Sequence, residues 1–393
     1  MIPHDSGASH PHNQPMSVQQ PPAHAAGFSS PGSGDAPRVG VLPSGPRDSI
    51  GDVAGVRVGH ATLQDGAHQT GVTVVVPHEH DAFLHKTPAA AAIINGFGKS
   101  VGLVQLDELG VLETPIALTN TFSVGTLATA QIRAAVSRHG EIGRSWPTLN
   151  PLVFECNDGY LNDIQAMAVG AEHYAQACDA AAPEFAQGSV GAGRGMSCFG
   201  HKGGIGSASR VATLADGRAF VLGALVLANF GRLENLTIAG QPLGRKLAAL
   251  ESETKGETEG DHRGPEKGSI IMILATDAPL DVRQLARVAK RSAAGLARMG
   301  SVYGHGSGDI ALAFSTAYQI PHFPDTPMPA MSMLHETHLD ALFEACAEAV
   351  EQAIVHAMWR AASVTGRDGH HRRSITEAVP DWRRLFDTNS SEN

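Results

Sequence analysis

A serine at position 269 stands where the character of the chain changes abruptly. Residues 251–267 are charged and polar, whereas residues 269–276 read Ser-Ile-Ile-Met-Ile-Leu-Ala-Thr. The first segment has too few apolar side chains to order itself, and the second is typical of a buried strand. Exposed loops are the segments at which chains are most readily cut. A cut between Gly268 and Ser269 would give the serine a free α-amine with a pKa of about 7.7–8.0, which can act as the base for its own hydroxyl.

A second polar group, Gly306-Ser-Gly-Asp309, follows that strand after one predicted helix, residues 281–299. A strand, a helix and a returning loop can bring such a group back towards the start of the strand. A hydroxyl and a carboxylate placed there can orient an amine and relay protons. We therefore predict that Ser307 and Asp309 assist Ser269.

Two further polar residues end apolar runs. Glu155 follows residues 151–154, and Asn229 follows residues 221–228. A carboxylate at a strand end can be a catalytic acid, a substrate ligand or a helix cap, and its position alone does not choose among these roles. A buried amide needs a hydrogen-bond partner, and for Asn229 that partner can be the backbone or the oxyanion of a reaction intermediate.

The glycine-rich segment 191–206 invites a comparison with nucleotide-binding loops. His201 follows Gly200 where a phosphate-binding loop requires lysine, and Met196 stands where the dinucleotide fingerprint requires its third glycine. We therefore interpret the segment as a loop in which glycines permit close backbone packing or contact with a ligand.

A histidine-rich stretch, His78-Glu-His-Asp81 with His85, could supply metal ligands. It lacks the spacing of two histidines on one helical face that zinc hydrolases use, and it follows a proline that ends a predicted strand. A polar surface turn is the favoured interpretation, so we expect neither a metal nor another cofactor.

The composition restricts the class of protein. The 393 residues carry a formal charge of −10, without a basic stripe, which argues against nucleic-acid binding. No apolar run reaches the roughly 18–20 residues of a membrane span. The four cysteines lack close spacing and no signal peptide is visible, which favours a reducing compartment, the cytoplasm.

Strands and helices mix without strict alternation of the two, which favours sheets covered by helices over a doubly wound fold. We expect residues 1–45 to form a disordered leader, because they are rich in Pro, Gly, Ser and His. Residues 46–268, which end in a cleavage loop at 251–268, and residues 269–393 then form two parts of one catalytic domain.

Several segments together carry a family resemblance. They are 52–60, 94–99, 119–125, 155–163, 191–195, 200–206, 268–269 and 306–309. With these segments, which span roughly residues 48 to 365, the sequence resembles the DmpA-type family of N-terminal-nucleophile aminopeptidases. That family comprises L-aminopeptidase/D-amidase-D-esterases and β-peptidyl aminopeptidases.

The resemblance implies an α+β fold, an αββα four-layer sandwich of the N-terminal-nucleophile-like (DmpA/ornithine acetyltransferase) type. It also implies a precursor that cleaves itself between Gly268 and Ser269, two chains that stay associated as an αβ heterodimer, and a homo-oligomer such as a tetramer. The roles it implies are Ser269 as nucleophile, Ser307 and Asp309 as its polar partners, Asn229 as oxyanion donor, Tyr160 as a transition-state or substrate contact, and Glu155 as a binder of the substrate amine.

The function that follows from the resemblance is a self-processing serine aminopeptidase or amidase. It would release N-terminal residues from small peptides, amides or esters through an acyl-enzyme on Ser269. Asp309 stands where some β-aminopeptidases carry glutamate, and its shorter side chain favours the L-aminopeptidase/D-amidase type. The alternatives are an endo-acting oligoamide hydrolase or an acyl transferase of the same self-cleaving superfamily, a metal-dependent hydrolase using the His78 region, and a protein that only binds.

Overall fold

A computed structural model describes residues 36–255 and 268–386. In chain order the strands are β1 (Arg57–Asp65), β2 (His68–Val76), β3 (His85–Gly96), β4 (Val111–Leu112), β5 (Ile116–Asn120), β6 (Val153–Cys156), β7 (Ser197–Cys198), β8 (His201–Lys202), β9 (Gly204–Thr213), β10 (Ala219–Asn229), β11 (Ser269–Thr276), β12 (Gly308–Ser315), β13 (Ile320–Pro321), β14 (Val364–Thr365) and β15 (His371–Arg372). The helices are α1 (Leu103–Leu109), α2 (Val124–Arg138), α3 (Ala171–Asp179), α4 (Leu243–Lys255), α5 (Val282–Arg298), α6 (Leu339–Trp359) and α7 (Ile375–Ala378).

The strands form two main sheets. The smaller sheet has the order β1-β2-β5-β6, with the β5–β6 pair parallel and the other pairs antiparallel. The larger sheet has the order β13-β3-β12-β11-β10-β9, and β4 also pairs with β3. In the larger sheet β11 and β12 are parallel neighbours, while β10 runs antiparallel to β11. The strand that begins at Ser269 therefore lies in the middle of the larger sheet.

Three apolar clusters join these sheets and helices into four layers. One cluster packs α2 and α3 on the outer face of the smaller sheet, and a second fills the space between the two sheets. The third and largest packs α5 and α6 on the outer face of the larger sheet. Ile271 and Ile273 of β11 face the other sheet, whereas Ile270 and Met272 face the helices, so every residue of this strand is buried. The predicted αββα four-layer architecture is confirmed.

The local sequence explains where the elements beside β11 begin. Asp281 caps α5 by accepting a hydrogen bond from the Gln284 N–H, and the Gln284 side chain accepts one from the Asp281 N–H in return. This capping box starts the helix one residue after the predicted position. None of the helices within 36–255 and 268–386 combines the length and the apolar character that a membrane span requires.

Residues 36–45, which composition assigned to the disordered leader, instead pack against α6. Val39 is buried and its N–H donates to Gln352 Oε1 (2.8 Å). The N–H groups of Val41 and Leu42 donate to the Glu348 carboxylate (2.8 and 3.0 Å). Buried polar side chains of α6 need partners, and the backbone of this segment supplies them. Residues 1–35 of the predicted leader lie outside the described residues.

The predicted cleavage loop, 251–268, is described only in part. Its first five residues continue helix α4 instead of beginning a loop. Residues 256–267 lie outside the described residues. The described chain resumes at Gly268, directly before β11.

Candidate active site

Ser269 is the first residue of β11 and is almost fully buried, with 7% of its surface exposed. Its direct partner on β10 is Asn229, the last residue of that strand. On the opposite side, the N–H of Gly308 donates to Ser269 Oγ (3.1 Å). The hydroxyl therefore lies at one edge of the larger sheet, where the ends of β10 and β11 meet the start of β12.

Ser307 and Asp309 are brought to this edge by β12. Asp309 pairs with Ile270, the residue that follows Ser269, and both Ser307 and Asp309 are fully buried. The Ser307 hydroxyl donates to Asp309 Oδ1 (2.5 Å). The Asn95 amide of β3 fixes the preceding loop by donating to the carbonyl of Ser307 (2.7 Å). The structure thus brings together the two partners that the sequence predicted for Ser269, joined to each other through a buried hydrogen bond.

The Asn229 side chain is held at both ends. Its Oδ1 accepts from the Ser197 N–H (2.8 Å), and its Nδ2 donates to the Asn157 carbonyl (2.9 Å). The amide nitrogen carries two hydrogens, and the Asn157 carbonyl uses one of them. The backbone alternative that the sequence left open for Asn229 is therefore observed, and the oxyanion alternative would use the second hydrogen of the same amide.

Gly268 adopts a backbone conformation that other residues avoid. Its φ angle is +124°, and a Cβ atom built there would lie 2.1 Å from the Asn229 carbonyl oxygen. Only glycine fits such an angle without strain. The peptide bond before Ser269 therefore packs directly against Asn229, whose side chain is the candidate oxyanion donor.

Glu155 lies at the end of β6 in the smaller sheet and is 3% exposed. Its Oε1 accepts from the Lys99 N–H (2.9 Å), and its Oε2 accepts from the Thr121 hydroxyl. Asn120, and not Glu155, caps the helical turn that begins at Thr121, so the helix-cap interpretation of Glu155 is wrong. Each carboxylate oxygen keeps a free lone pair, which is what a ligand with an ammonium group needs.

Tyr160 is half exposed and stacks on side chains from the C-terminal hairpin β14–β15. The His370 ring lies 4.6 Å from its ring centroid with an interplanar angle of 9°. The guanidinium carbon of Arg372 lies 3.6 Å from the same centroid, and Arg372 Nε donates to Ser197 Oγ (3.2 Å). Because Ser197 also donates to Asn229, the hairpin and Tyr160 belong to the same wall of the site.

The thiol of Cys156 lies next to Ser269 and is affected by two nearby carboxylates. It donates to the Ser269 carbonyl (3.4 Å). Burial, followed by the negative charges of Glu155 and Asp309, raises the pKa of this thiol well above its usual value. The thiol therefore stays protonated. Glu155 of the smaller sheet and Asp309 of the larger sheet both contribute negative charge to the buried region around Cys156.

Lys202 organises the glycine-rich segment. Its fully buried side-chain nitrogen donates to the carbonyls of Gly193, Met196 and Gly203 (2.8–2.9 Å). Burial lowers the pKa of Lys202 well below its usual value. Three carbonyls of the segment thus surround the Lys202 side chain, and the Ser197 N–H of the same segment bonds Asn229. This arrangement agrees with the interpretation of the segment as a closely packed loop.

The neighbouring Asp158 is also fully buried. Its Oδ1 accepts from Asn162 Nδ2 (3.0 Å). Burial raises the pKa of Asp158 to about 7, against the opposing effect of its hydrogen bonds. Asp158 directly follows Asn157, whose carbonyl accepts the hydrogen bond from the Asn229 amide. A change in the charge of Asp158 would therefore occur close to the candidate oxyanion donor.

Five residues of the site were not predicted from the sequence. They are Asn157, Asp158, Ser197, Lys202 and Arg372. Asn157, Asp158 and Lys202 lie inside segments that carry the family resemblance, so a closer inspection of polar residues there could have found them. Nothing in the sequence around Ser197 or Arg372 signals that they meet.

The histidine-rich stretch does not assemble into a metal site. His78 Nε2 lies 2.8 Å from the His85 carbonyl oxygen, and the His80 ring is more than 5 Å from either neighbouring imidazole, centroid to centroid. Within residues 36–255 and 268–386, no group of three His, Cys, Asp or Glu side chains is arranged to hold a metal ion.

Comparison with known proteins agrees with this geometry. Residues 48–372 match Peptidase family S58. The chain is 38% identical to beta-peptidyl aminopeptidase BapA of Sphingosinicella microcystinivorans over 353 residues, covering 85% of this chain and 87% of that protein.

Two solved structures are also similar. The PH0078 protein of Pyrococcus horikoshii OT3 shares 46% identity at a TM-score of 0.80, covering 88% of this chain and 97% of that one. The L-aminopeptidase D-Ala-esterase/amidase of Ochrobactrum anthropi, described as a prototype for the serine aminopeptidases and a new variant of the Ntn hydrolase fold, shares 33% at a TM-score of 0.78, covering 89% and 98%.

These similarities confirm the predicted family, the predicted fold and the predicted class of enzyme, a serine aminopeptidase. The matched residues, 48–372, include every side chain of the site described above. The chain belongs to peptidase family S58.

Proposed function

We propose that this peptidase cleaves itself between Gly268 and Ser269 and then releases N-terminal residues from small peptides, amides or esters. One observation carries the proposal. Ser269 Oγ lies at the start of a central buried strand, bonded by the Gly308 N–H and directly beside Asn229. A serine placed there gains a base on its own backbone once the preceding peptide bond is cut.

In the precursor, Ser269 Oγ attacks the carbonyl carbon of Gly268. The C–N bond breaks as the C–O bond forms, the Ser269 nitrogen takes up the hydroxyl proton, and the product is an ester. Water then hydrolyses this ester, which frees the Gly268 carboxylate and the Ser269 amine. Glycine leaves the approach to its carbonyl open, since it has no side chain.

In the mature enzyme the Ser269 α-amine takes the hydroxyl proton, directly or through Ser307. The buried Ser307–Asp309 hydrogen bond supports this transfer by keeping Ser307 oriented and its oxygen electron-rich. The oxygen of the tetrahedral intermediate receives a hydrogen bond from Asn229 Nδ2. The Ser269 α-amine then gives this proton to the leaving amine, which departs and leaves the acyl-enzyme. In the second half of the reaction water gives a proton to the same α-amine as it attacks the ester, and Ser269 Oγ takes the proton back when the product acid leaves.

Glu155 binds the free amine of the substrate in this account. The spare lone pairs of its buried carboxylate support that role, as does its neighbour in β6, Cys156, whose thiol donates to the Ser269 carbonyl. Similarity to beta-peptidyl aminopeptidase BapA supports substrates with an N-terminal β-amino residue. The shorter Asp309 points towards α-amino substrates, so both classes belong in the test.

Three further proposals accompany this function. The two cleaved parts, residues 1–268 and 269–393, stay together, because β10 and β11 pair along their length across the cut. The enzyme assembles as a homo-oligomer such as a tetramer, as the family resemblance implies. It acts in the cytoplasm, an assignment that the four free cysteines support.

A substrate pair that differs only at the N-terminus tests the function. The purified enzyme is incubated with a short peptide and with the same peptide carrying an acetylated N-terminus, for both α- and β-amino first residues. We expect release of the first residue from the free peptides only, because Glu155 requires an ammonium group. Equal hydrolysis of blocked substrates would instead indicate an endo-acting amidase, and transfer of the acyl group to an added amine would indicate a transferase.

A further inference from the structure

Arg372 is a half-buried cation in the wall of the site. Its polar contacts are Ser197 Oγ (3.2 Å), the His371 carbonyl (3.5 Å) and the Tyr160 side chain, and within the described part of the chain no carboxylate pairs with it. Burial lowers the pKa of Arg372, although the guanidinium remains charged. A partly desolvated charge is costly unless an opposite charge meets it.

The arginines beside it show what is unusual about this position. Arg367, on the same hairpin, pairs with Asp368 Oδ2 (2.6 Å). Arg373, the next residue in the chain, extends to the Glu377 carbonyl (2.9 Å). Arg372 alone of these three lies against Tyr160 and is joined through Ser197 to the Asn229 amide. The guanidinium is therefore linked to the candidate catalytic centre by two hydrogen bonds through Ser197.

The two ends of the site carry opposite charges. Glu155 lies near Ile310 of β12 and Asp309 belongs to that strand, so acidic groups occupy the β12 side of Ser269. Arg372 is held through Ser197 and Asn229 on the β10 side. Because β11 runs between β10 and β12, the basic group and the acidic groups are held on opposite sides of the strand that begins at Ser269.

A short peptide with free termini carries the complementary pair of charges at its two ends. An extended residue spans about 3.3–3.6 Å, so the ammonium and carboxylate of a dipeptide or tripeptide lie roughly 7–11 Å apart. With its ammonium group at Glu155 and its first carbonyl at Ser269, such a peptide directs its carboxylate towards the β10 side. Guanidinium is the group best shaped to receive a carboxylate, through two parallel hydrogen bonds.

We propose that Arg372 binds the C-terminal carboxylate of the substrate, so that the enzyme selects free dipeptides and tripeptides over longer or C-terminally blocked ones. This inference rests on the proposed aminopeptidase function and identifies its preferred substrate class. It makes Arg372 a specificity-determining residue on the leaving-group side of the scissile bond.

The test compares a dipeptide with its C-terminal amide, using kcat/KM for the wild type and for Arg372→Gln. A hydrogen bond to a charged group contributes about 1.5–3 kcal/mol, so we expect the wild type to prefer the free dipeptide about tenfold or more. Arg372→Gln should lose this preference through a lower kcat/KM for the dipeptide, with the amide little affected. Arg372→Lys should retain part of it, and the matched control Arg373→Ala should retain all of it.

Each other outcome has a distinct meaning. An unchanged preference in Arg372→Gln, or no preference in the wild type, overturns the proposal. Equal losses on both substrates also overturn it, because Arg372 would then serve only to hold Tyr160. If the wild type hydrolyses neither substrate, the aminopeptidase function itself fails, and the two failures are therefore distinguishable.

Discussion

Replacing Gly268 by alanine should slow self-cleavage without harming the mature enzyme. The φ angle of +124° suits only glycine, and the added Cβ would lie 2.1 Å from the Asn229 carbonyl oxygen and 3.1 Å from Phe230 Cα. Backbone strain of this kind costs about 1–3 kcal/mol. The attack of Ser269 Oγ takes place from this conformation, so alanine must adopt it at that cost, and cleavage should slow by roughly 5- to 150-fold.

The assay follows the disappearance of the full-length band on a denaturing gel with time after purification. Gly240→Ala is the matched control, because Gly240 also has a positive φ angle (+75°) but no atom within 4 Å of the Cβ position. It should cleave at the wild-type rate. Once cut, the Gly268→Ala enzyme has the same residues from 269 onwards and should match the wild type per cleaved molecule. Cleavage of Gly268→Ala at or above the wild-type rate would show that self-cleavage does not depend on the conformation of Gly268.

Three further substitutions test separate parts of the site. Asn229→Ala should lower kcat about 10²–10³-fold with little change in KM, and a wild-type kcat would remove the amide from the mechanism. Glu155→Gln should raise KM for peptides with a free amine about tenfold, and an unchanged KM would contradict the amine-binding role. For Asp158, whose folded pKa of about 7 exceeds the ordinary 3.8, the folded state holds a proton that the unfolded state releases, so stability should fall as the pH rises from about 4 to 7. Asp158→Asn cannot ionise and lacks this loss of stability, so the Tm of the variant minus that of the wild type should rise between pH 5 and pH 8. A Tm difference that does not change with pH would contradict a buried, protonated Asp158.

The elements nearest Ser269 could be predicted because their apolar patterns are strong. The run from Ile270 to Ala275 is buried on both faces, and such continuous runs indicate strands without reference to the rest of the chain. The predicted helix 281–299 has a capping residue and one apolar side. The order β10-β11-β12 could not be predicted, since strand pairing depends on contacts between residues far apart in the sequence.

In the candidate site, too, the proximity of some residues could be predicted from the sequence and that of others could not. Ser269, Ser307 and Asp309 lie at the ends of predictable strands, so their meeting could be inferred from the path of the chain. Ser197 and Arg372 lie more than 170 residues apart in short irregular segments and meet only through the packing of the C-terminal hairpin. Residues 36–45 were misjudged for a related reason, because their order comes from Glu348 and Gln352 of a distant helix and not from their own side chains.

The most direct test of self-cleavage is N-terminal sequencing of the purified full-length protein beside Ser269→Ala. We expect two N-terminal sequences for the wild type, the second beginning Ser-Ile-Ile-Met, and one uncleaved, inactive chain for the variant. A wild-type protein that remains a single chain and still releases N-terminal residues would contradict it.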